Sequence, residues 1–303
     1  MASLNCTFEI SKMKLAFIRN KSAYLPEIDA YKSYIFEHYP NIEITEHNRD
    51  NVFDLQCNSA SDICWRFMGI DTPKFHHLRK KPFIIHDYNS LSTKPFPRFK
   101  NKLKKMVNVT PNLRIFLNKE VKDGFGFDDG VPFVLRTMGV SKSFFEKRNS
   151  SPKKYDFICI GGFDRGSVVT RFLDKFTYGE LLKHSVSILL VGDLPEKIFE
   201  RYSNFGNIIM KKRVSNDQIP TLISQSKFGV NLVPDIYPYN LQPATKILEY
   251  SAVGTKIITT DYQWIRIFEN KHQGSFFKLD NEMSNFTLSN LAQFKFIHAD
   301  VGS

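Results

Sequence analysis

The chain has 303 residues, 42% of them hydrophobic and 14% aromatic, which is enough apolar material for two domains of ordinary size. Its formal net charge of +11 favours anionic partners such as nucleotide diphosphates, acidic membrane surfaces or nucleic acid. No apolar run approaches the length that spans a bilayer. The four cysteines lack the paired spacing of a metal site, and segment 1–14 lacks the apolar core of a secretion signal. We therefore expect a cytoplasmic protein in a reducing setting.

The first half of the chain alternates short apolar runs with polar loops and helical patterns. Pro26 presets the backbone angle of a first helical turn and marks the start of the first helix. This alternation is typical of a parallel α/β sheet. The strands of this half are predicted at 13–18, 42–45, 62–68, 82–86, 113–117 and 132–135.

The strand predicted at 82–86 ends in a histidine, and a polar loop follows. Ligands bind at the carboxyl ends of the strands in open α/β sheets, so His86 and Asp87 are candidate site residues. The near-neutral pKa typical of histidine suits acceptor contact or proton transfer. A histidine or aspartate that only caps the loop is the alternative.

A basic segment with helical periodicity lies between the fourth and fifth predicted strands. Phe99, Leu103 and Met106 share one side of that helix. Such a helix can lie on an anionic membrane, or it can pack on its own sheet with a solvated lysine face. Aromatic residues are not interleaved at the spacing that stacks bases, so we expect no nucleic acid partner. The cations are Arg98, Lys100, Lys102, Lys104 and Lys105.

The charged and polar stretch 146–154 has the composition of a linker. We place the domain boundary there, with one domain at 1–148 and a second at 149–303. Strand and helix patterns resume after it, and a tail helix within 281–303 could cross back to the first domain. The strands of the second half are predicted at 155–160, 186–191, 208–210, 228–233 and 256–260. Together the two series predict two doubly wound, Rossmann-like α/β domains facing a cleft.

A glycine-rich turn follows the first strand of the second half. Gly161 and Gly162 allow the backbone to approach a phosphate, and Arg165 supplies a positive charge three residues later. The spacing is not that of the dinucleotide fingerprint. A plain glycine turn with a surface arginine is the alternative interpretation.

A polar turn, a short helix and a buried strand make up the segment 240–262. Pro243 suits the first helical turn, and Gly254 suits the position just past the helix end. The helix start exposes free N–H groups beside Lys246, which is typical of a phosphate site. Glu249 lies three residues further on and therefore projects from nearly the same face. A cation for phosphate and a carboxylate for ribose hydroxyls indicate a bound nucleotide, although an ordinary amphipathic helix would show the same residues.

The sequence Thr-Lys-Ile-Leu-Glu-Tyr at 245–250, followed by an Ile-Ile strand, resembles the donor-site segment of GT-B glycosyltransferases of the retaining, GT4-like branch. The resemblance implies that Lys246 contacts the donor diphosphate and Glu249 the ribose. It runs from about residue 13 to about residue 261 and is strongest in the second half. The family often has a second glutamate eight residues before this one, where this chain has Leu241.

Other site residues follow from the same resemblance. The loop of Gly161 and Gly162 is similar to the first loop of the GT-B donor domain, which implies that Arg165 contacts the pyrophosphate. Gln242 and Thr245, in the turn before the helix, are further donor-site candidates. The strand that ends in a histidine is similar to the family's acceptor side, which implies a catalytic role there. Those catalytic candidates are His86 and Asp87.

The resemblance implies a retaining, metal-independent hexosyltransferase that uses no cofactor besides its donor. It would move a sugar from a nucleotide diphosphate, UDP or GDP, to a glycan or glycolipid in bacterial surface polysaccharide or lipopolysaccharide synthesis. We expect it in the cytoplasm, with peripheral docking at the inner face of the membrane. Two alternatives stay open: a nucleotide-sugar epimerase or hydrolase on the same fold, and a non-catalytic basic protein that binds membrane or nucleic acid.

Overall fold

The computed structural model describes residues 12–20, 25–48, 60–69, 81–93, 95–148 and 150–302. The chain divides into two compact units, Met1–Thr137 and Met138–Ser303. Each unit contains one six-stranded parallel sheet with helices between its strands. This architecture confirms the predicted α/β class and its two Rossmann-like domains. The cleft between them stays a prediction.

Unit 1 contains a sheet with the strand order β2-β1-β3-β4-β5-β6. All six strands predicted for this half are present, although their ends differ by a few residues. The strands are β1 (Met13–Arg19), β2 (Ile42–Asn48), β3 (Ile63–Phe67), β4 (Phe83–Tyr88), β5 (Leu113–Phe116) and β6 (Phe133–Leu135). The helices described here are α1 (Pro26–His38), α2 (Pro97–Val107) and α3 (Lys119–Phe125).

The strand order of unit 1 reverses between β1 and β3, which are direct neighbours. Along β1, Leu15 and Phe17 pack into one apolar cluster, while Ala16 and Ile18 pack into another. Successive side chains of a strand point to opposite faces, so β1 is buried on both sides. This burial explains the continuous apolar run of β1. The reversal of strand order places a switch point, where α/β sheets bind ligands, beside the start of α1.

Unit 2 contains a sheet with the strand order β12-β11-β10-β7-β8-β9. Its strands are β7 (Tyr155–Ile160), β8 (Ile188–Val191), β9 (Ile208–Lys211), β10 (Ser226–Asn231), β11 (Lys256–Thr260) and β12 (Phe277–Leu279). Its helices are α4 (Lys142–Glu146), α5 (Ser167–Asp174), α6 (Gly179–Lys183), α7 (Glu196–Tyr202), α8 (Ile219–Ser224), α9 (Thr245–Val253), α10 (Gln263–His272) and α11 (Leu288–Gln293).

Both faces of the unit 2 sheet are covered. Phe157 and Cys159 of β7 lie in one buried cluster, and Ile158 between them lies in the other. The strand order is that of the dinucleotide-binding fold, with its reversal between β7 and β10. The carboxyl ends of these two strands are therefore the place in unit 2 where a ligand is expected.

The boundary between the units differs from the predicted one at residue 148. Phe144 of α4 is only 2% exposed and lies in a core cluster of unit 2. The stretch predicted as a linker is also bonded to this unit, since Lys153 Nζ donates to the Ser224 carbonyl at 2.8 Å. The division therefore lies between Thr137 and Met138.

The tail also differs from its prediction. Its helix covers only Leu288–Gln293, and β12 just before the tail is a strand that the sequence did not indicate. Phe286 stacks on Phe172 with ring centroids 4.9 Å apart, and Ala299 is buried in the second cluster. The tail is thus part of the unit 2 core. Among the described residues, no helix combines the length and apolar character needed to cross a membrane.

Candidate nucleotide-sugar site

The glycine-rich loop of unit 2 begins where β7 ends. Gly161 and Gly162 both have left-handed backbone angles, with φ of 56° and 72°. These angles are costly for other residues, which explains the glycine pair. The loop turns the chain into α5, which starts at Ser167. Arg165 therefore lies at the switch point of the sheet, and its Nη1 donates to the carbonyl of Leu232, just past β10, at 3.3 Å.

Helix α9 packs on the sheet through the ring of Tyr250, which lies over Gly229 of β10. A Cβ atom built on Gly229 of β10 would lie 2.5 Å from the ring of Tyr250, so only glycine leaves room for this ring. The Tyr250 hydroxyl donates to the Val230 carbonyl at 3.3 Å. Lys246 precedes Tyr250 by one helical turn and is carried to the carboxyl edge of the sheet.

The side chains of Lys246 and Arg165 converge on the same glycine. A Cβ atom built on Gly162 would lie 3.1 Å from Nζ of Lys246 and 3.1 Å from Nε of Arg165. Lys246 Nζ also donates to the Gly161 carbonyl at 2.9 Å. Two predicted donor-site residues, 81 positions apart in the sequence, are thus brought together with both glycines.

Both cations, Lys246 and Arg165, are partly buried. Within the described residues, neither Lys246 nor Arg165 forms an ion pair with a carboxylate. Burial lowers the pKa of Lys246 to about 8, and the charge of Arg165 acts in the same direction. Two like charges held together, beside a helix start that no side chain caps, form a site whose electrostatics favour an anion.

Helix α9 begins and ends close to the predicted positions. Thr245 is its first residue, Ala244 occupies the N-cap position, and no side chain caps the amide groups there. Pro243 therefore precedes the helix and does not form its first turn. Gly254 ends the helix in the left-handed conformation (φ 75°), which confirms that prediction.

Glu249 lies on α9, three residues after Lys246. Its carboxylate makes no hydrogen bond to any residue that the structure describes. Burial raises its pKa to about 7, and the charge of Lys246 opposes that rise. A half-buried carboxyl group without a partner is available for a ligand hydroxyl. Gln242 and Leu241 lie at the end of the short 3₁₀ turn before α9, and donor contacts by Gln242, Thr245 and Glu249 stay predictions.

His86 and Asp87 lie inside β4, which extends to Tyr88, and not at its end and in a loop as predicted. Neighbouring side chains of a strand point to opposite faces, so the two do not share a face of the sheet. Both are fully buried, at 0% exposure. Nδ1 of His86 lies 3.5 Å from the hydroxyl oxygen of Tyr88. A catalytic role for either residue stays a prediction.

Asp87 belongs to a polar cluster that sequence reasoning did not find. Its carboxylate accepts from Arg136 Nε and from Trp65 Nε1, each at 3.3 Å. Burial raises the pKa of Asp87 to about 6 although Arg136 opposes this. Arg136 also bonds Glu27 and Asn89. These residues are far apart in the chain and no local motif links them, so only the fold reveals the cluster.

Helix α2 turns its apolar side chains outward. Phe99 is 66% exposed and Met106 82%, whereas Asn101 is buried and accepts from the Ser92 amide at 3.0 Å. On the inner side, Lys105 Nζ bonds Asp128 at 2.6 Å. Packing of the apolar side on the unit's own sheet, one of the two alternatives, is therefore excluded for Phe99 and Met106.

Comparisons with known proteins agree on the fold. No protein-family model matches the sequence, and no curated protein matches it by sequence. Solved structures do match. Together with the two α/β units, they show that the chain has the GT-B fold. A sucrose-phosphate synthase from Thermosynechococcus elongatus is similar with a TM-score of 0.63 at 12% identity, over 93% of this chain and 90% of that one.

Two further structures bear on the choice of function. The glycosyltransferase WaaG, involved in lipopolysaccharide biosynthesis, is similar with a TM-score of 0.55 at 12% identity, over 85% of this chain and 84% of that one. A UDP-GlcNAc 2-epimerase from Neisseria meningitidis, bound to UDP-GlcNAc, is similar with a TM-score of 0.52 at 10% identity, over 93% of this chain and 91% of that one. At these identities the likeness shows a shared fold.

Proposed function

We propose that the chain is a glycosyltransferase that moves a sugar from a nucleotide diphosphate donor, UDP or GDP, to a glycan or glycolipid acceptor. The observation that carries this proposal is the convergence of Lys246 and Arg165 over Gly162 at the switch point of unit 2, with no ion-pairing carboxylate among the residues described. The similarity to WaaG favours an acceptor in lipopolysaccharide or another bacterial surface polysaccharide.

In this proposal the diphosphate binds over Gly161 and Gly162, where backbone and cations meet. Lys246, Arg165 and the amides at the start of α9 stabilise the negative charge that grows on the departing diphosphate. Glu249 accepts a hydrogen bond from a ribose hydroxyl, and Gln242 and Thr245 line the same turn. Retention of anomeric configuration and independence of metal are part of the proposal through the GT4-like resemblance. His86 is the proposed acceptor-side residue.

Turnover assays test the proposal. The full-length protein is incubated with UDP- and GDP-sugars, with and without lipid-linked glycan acceptors, and the released nucleotide is measured. We expect acceptor-dependent release that falls at least tenfold in Lys246→Ala, because a hydrogen bond to a charged group contributes about 1.5–3 kcal/mol. The matched control is Lys153→Ala, since Nζ of Lys153 likewise donates to a backbone carbonyl of unit 2. Equal rates in Lys246→Ala and wild type would reject the proposal.

A nucleotide-sugar epimerase is the second candidate, because an epimerase bound to UDP-GlcNAc has the same fold. The donor site described above would serve either reaction. An epimerase would convert the donor sugar at full rate when no acceptor is present. Analysis of the sugar nucleotide after incubation without acceptor therefore distinguishes the two reactions.

We also propose that α2 docks on an anionic membrane surface. Its outward side combines Phe99 and Met106 with the exposed cations Arg98 and Lys102, and Phe96 just before the helix is 76% exposed. Apolar side chains flanked by cations suit insertion at the interface of acidic lipids, which would place a lipid-linked acceptor near the enzyme. Of the other predicted cations, Lys105 pairs with Asp128, and Lys100 and Lys104 lie on the helix's partly buried side.

Co-sedimentation with phosphatidylcholine vesicles, with and without phosphatidylglycerol, tests this docking. We expect binding only to the anionic vesicles, weakened by salt and by Arg98→Gln with Lys102→Gln, since each cation contributes about 1 kcal/mol. The double variant Phe99→Ser with Met106→Ser should also lose binding. Phe36→Ser is the control, because Phe36 is 83% exposed in the same unit but lies on α1. Equal loss in the control, or no binding to anionic vesicles, would contradict the docking proposal.

A further inference from the structure

The carboxyl edge of the unit 1 sheet carries a cluster of polar side chains beside the switch point between β1 and β3. Arg136, directly after β6, donates through Nε to Asp87 and through Nη2 to Glu27 Oε1 at 3.2 Å. Asn89 Nδ2 donates to the same oxygen of Glu27 at 2.6 Å, and its Oδ1 accepts from Arg136. The cluster thus joins α1, the end of β4 and the end of β6.

Part of the hydrogen-bonding capacity of this cluster is unused. Asp87 is fully buried and bonded by two donors, but the side chains of Glu27 and Arg136 are 21% and 16% exposed. Glu27 Oε2 and Arg136 Nη1 form no hydrogen bond with the residues in the described ranges. Since Glu27 and Arg136 are joined through Oε1 and Nη2, this bonded pair keeps one acceptor oxygen and one donor nitrogen.

The charge of the cluster restricts the ligand. Two carboxylates share one guanidinium group, so the cluster is net negative when both are ionised, although the chain as a whole carries +11. A diphosphate would be repelled by Glu27 and Asp87. A neutral polyol suits the pair, because one hydroxyl can donate to Glu27 while its neighbour accepts from Arg136. Tyr31 and Trp65 pack beside it with ring centroids 4.7 Å apart, which gives the site an apolar wall.

We propose that Glu27 and Arg136 bind two neighbouring hydroxyls of a neutral sugar, the acceptor of the transfer reaction. Binding of a sugar follows from the geometry of unit 1. That this sugar is the acceptor rests on the proposed function. Asp87 is then a positioning residue, because it holds Arg136 through Nε and leaves Nη1 for the ligand. Trp65 in turn orients the Asp87 carboxylate.

The test uses saturation-transfer NMR on the full-length protein without nucleotide. The probes are methyl glycosides of glucose, galactose and mannose, together with deoxy analogues that each lack one hydroxyl. We expect at least one glycoside to bind to the wild type with two adjacent hydroxyls in contact with the protein. The same glycoside should bind about tenfold more weakly to Glu27→Gln, because a hydrogen bond to a charged group is lost. The matching deoxy analogue should bind weakly to the wild type.

Glu120→Gln is the matched control, because Glu120 is likewise acidic in the first turn of a unit 1 helix. It should bind the glycoside as the wild type does. If Glu27→Gln does not fold, Arg136→Lys, which keeps the charge, provides the second test and should also weaken binding. Binding that is unchanged in these variants, or no binding of any glycoside to the wild type, would overturn the inference. Neither result affects the nucleotide assays on Lys246, so the two proposals fail separately.

Discussion

At the level of single residues, Lys246 is the side chain on which the proposed donor site depends. Its Nζ contacts the glycine-rich loop and lies next to Arg165 over Gly162, in a half-buried environment. Burial and the neighbouring cation both favour its neutral form. A bound diphosphate would reverse that preference, because it supplies the missing negative charge. The affinity of the ligand-free protein for its donor should therefore depend on pH near the pKa of this lysine.

We predict that donor affinity weakens as the pH rises above about 8, where the ligand-free Lys246 loses its proton. The loss should approach roughly tenfold per pH unit, because binding then requires uptake of one proton. Lys246→Arg should remove this dependence, since arginine stays protonated throughout this range. Dissociation constants measured by calorimetry between pH 7 and 10 check the prediction, and an identical pH profile in both proteins would contradict it.

The residues of the proposed donor site were accessible from the sequence, because they lie in two short motifs. Gly161, Gly162, Arg165 and Lys246 are found together in the structure. The polar cluster of unit 1 could not be predicted in the same way. Glu27 and Arg136 are 109 positions apart, and only the parallel pairing that runs from β1 through β3, β4 and β5 to β6 brings them to one edge.

At the level of secondary structure, α9 positions the proposed donor site through its contact with β10. The ring of Tyr250 lies against Gly229. Ile247 and Val253, three residues before and three after Tyr250 on α9, are buried in the same core. The sequence predicts both the helix and the strand, but not this contact, because a glycine within a strand only indicates a close approach of some kind. The contact fixes which turn of the helix reaches the glycine-rich loop.

We predict that Gly229→Ala destabilises unit 2 by about 1–3 kcal/mol, the usual cost of overpacking a filled core. The new Cβ would lie 2.5 Å from the Tyr250 ring, so the helix must shift and donor affinity should fall as well. Gly206→Ala is the control, because a Cβ there meets no atom within 4 Å. Thermal unfolding and donor binding of both variants are measured. A Gly229→Ala protein as stable as the control would show that α9 is seated differently.

At the level of the whole molecule, the chain consists of two units, each with its own sheet and core. The sequence predicts this division from its two series of strands, but it places the boundary about ten residues too late. Polar composition marks 146–154 as a linker, whereas hydrogen bonds such as that from Lys153 attach the stretch to unit 2. Composition reports only the tendency of a stretch to be exposed, and tertiary contacts decide to which unit it belongs.

The boundary leads to a prediction about fragments. A fragment of residues 138–303 contains α4 with Phe144 in the core, and a fragment of residues 149–303 lacks it. We expect the longer fragment to be more stable by about 3–5 kcal/mol, the usual cost of removing a buried phenylalanine side chain. Chemical denaturation of the two fragments gives the difference directly. Equal stabilities would mean that α4 does not belong to the core of unit 2.

If unit 2 holds a nucleotide diphosphate between Lys246 and Arg165, calorimetric titration of the full-length protein with UDP and with GDP will show it most directly. We predict that one of the two nucleotides binds, that Lys246→Ala weakens its binding about 10- to 100-fold through loss of a charged hydrogen bond, and that Lys153→Ala leaves its binding unchanged. Absence of binding by both nucleotides, or equal affinity in wild type and Lys246→Ala, would contradict this prediction.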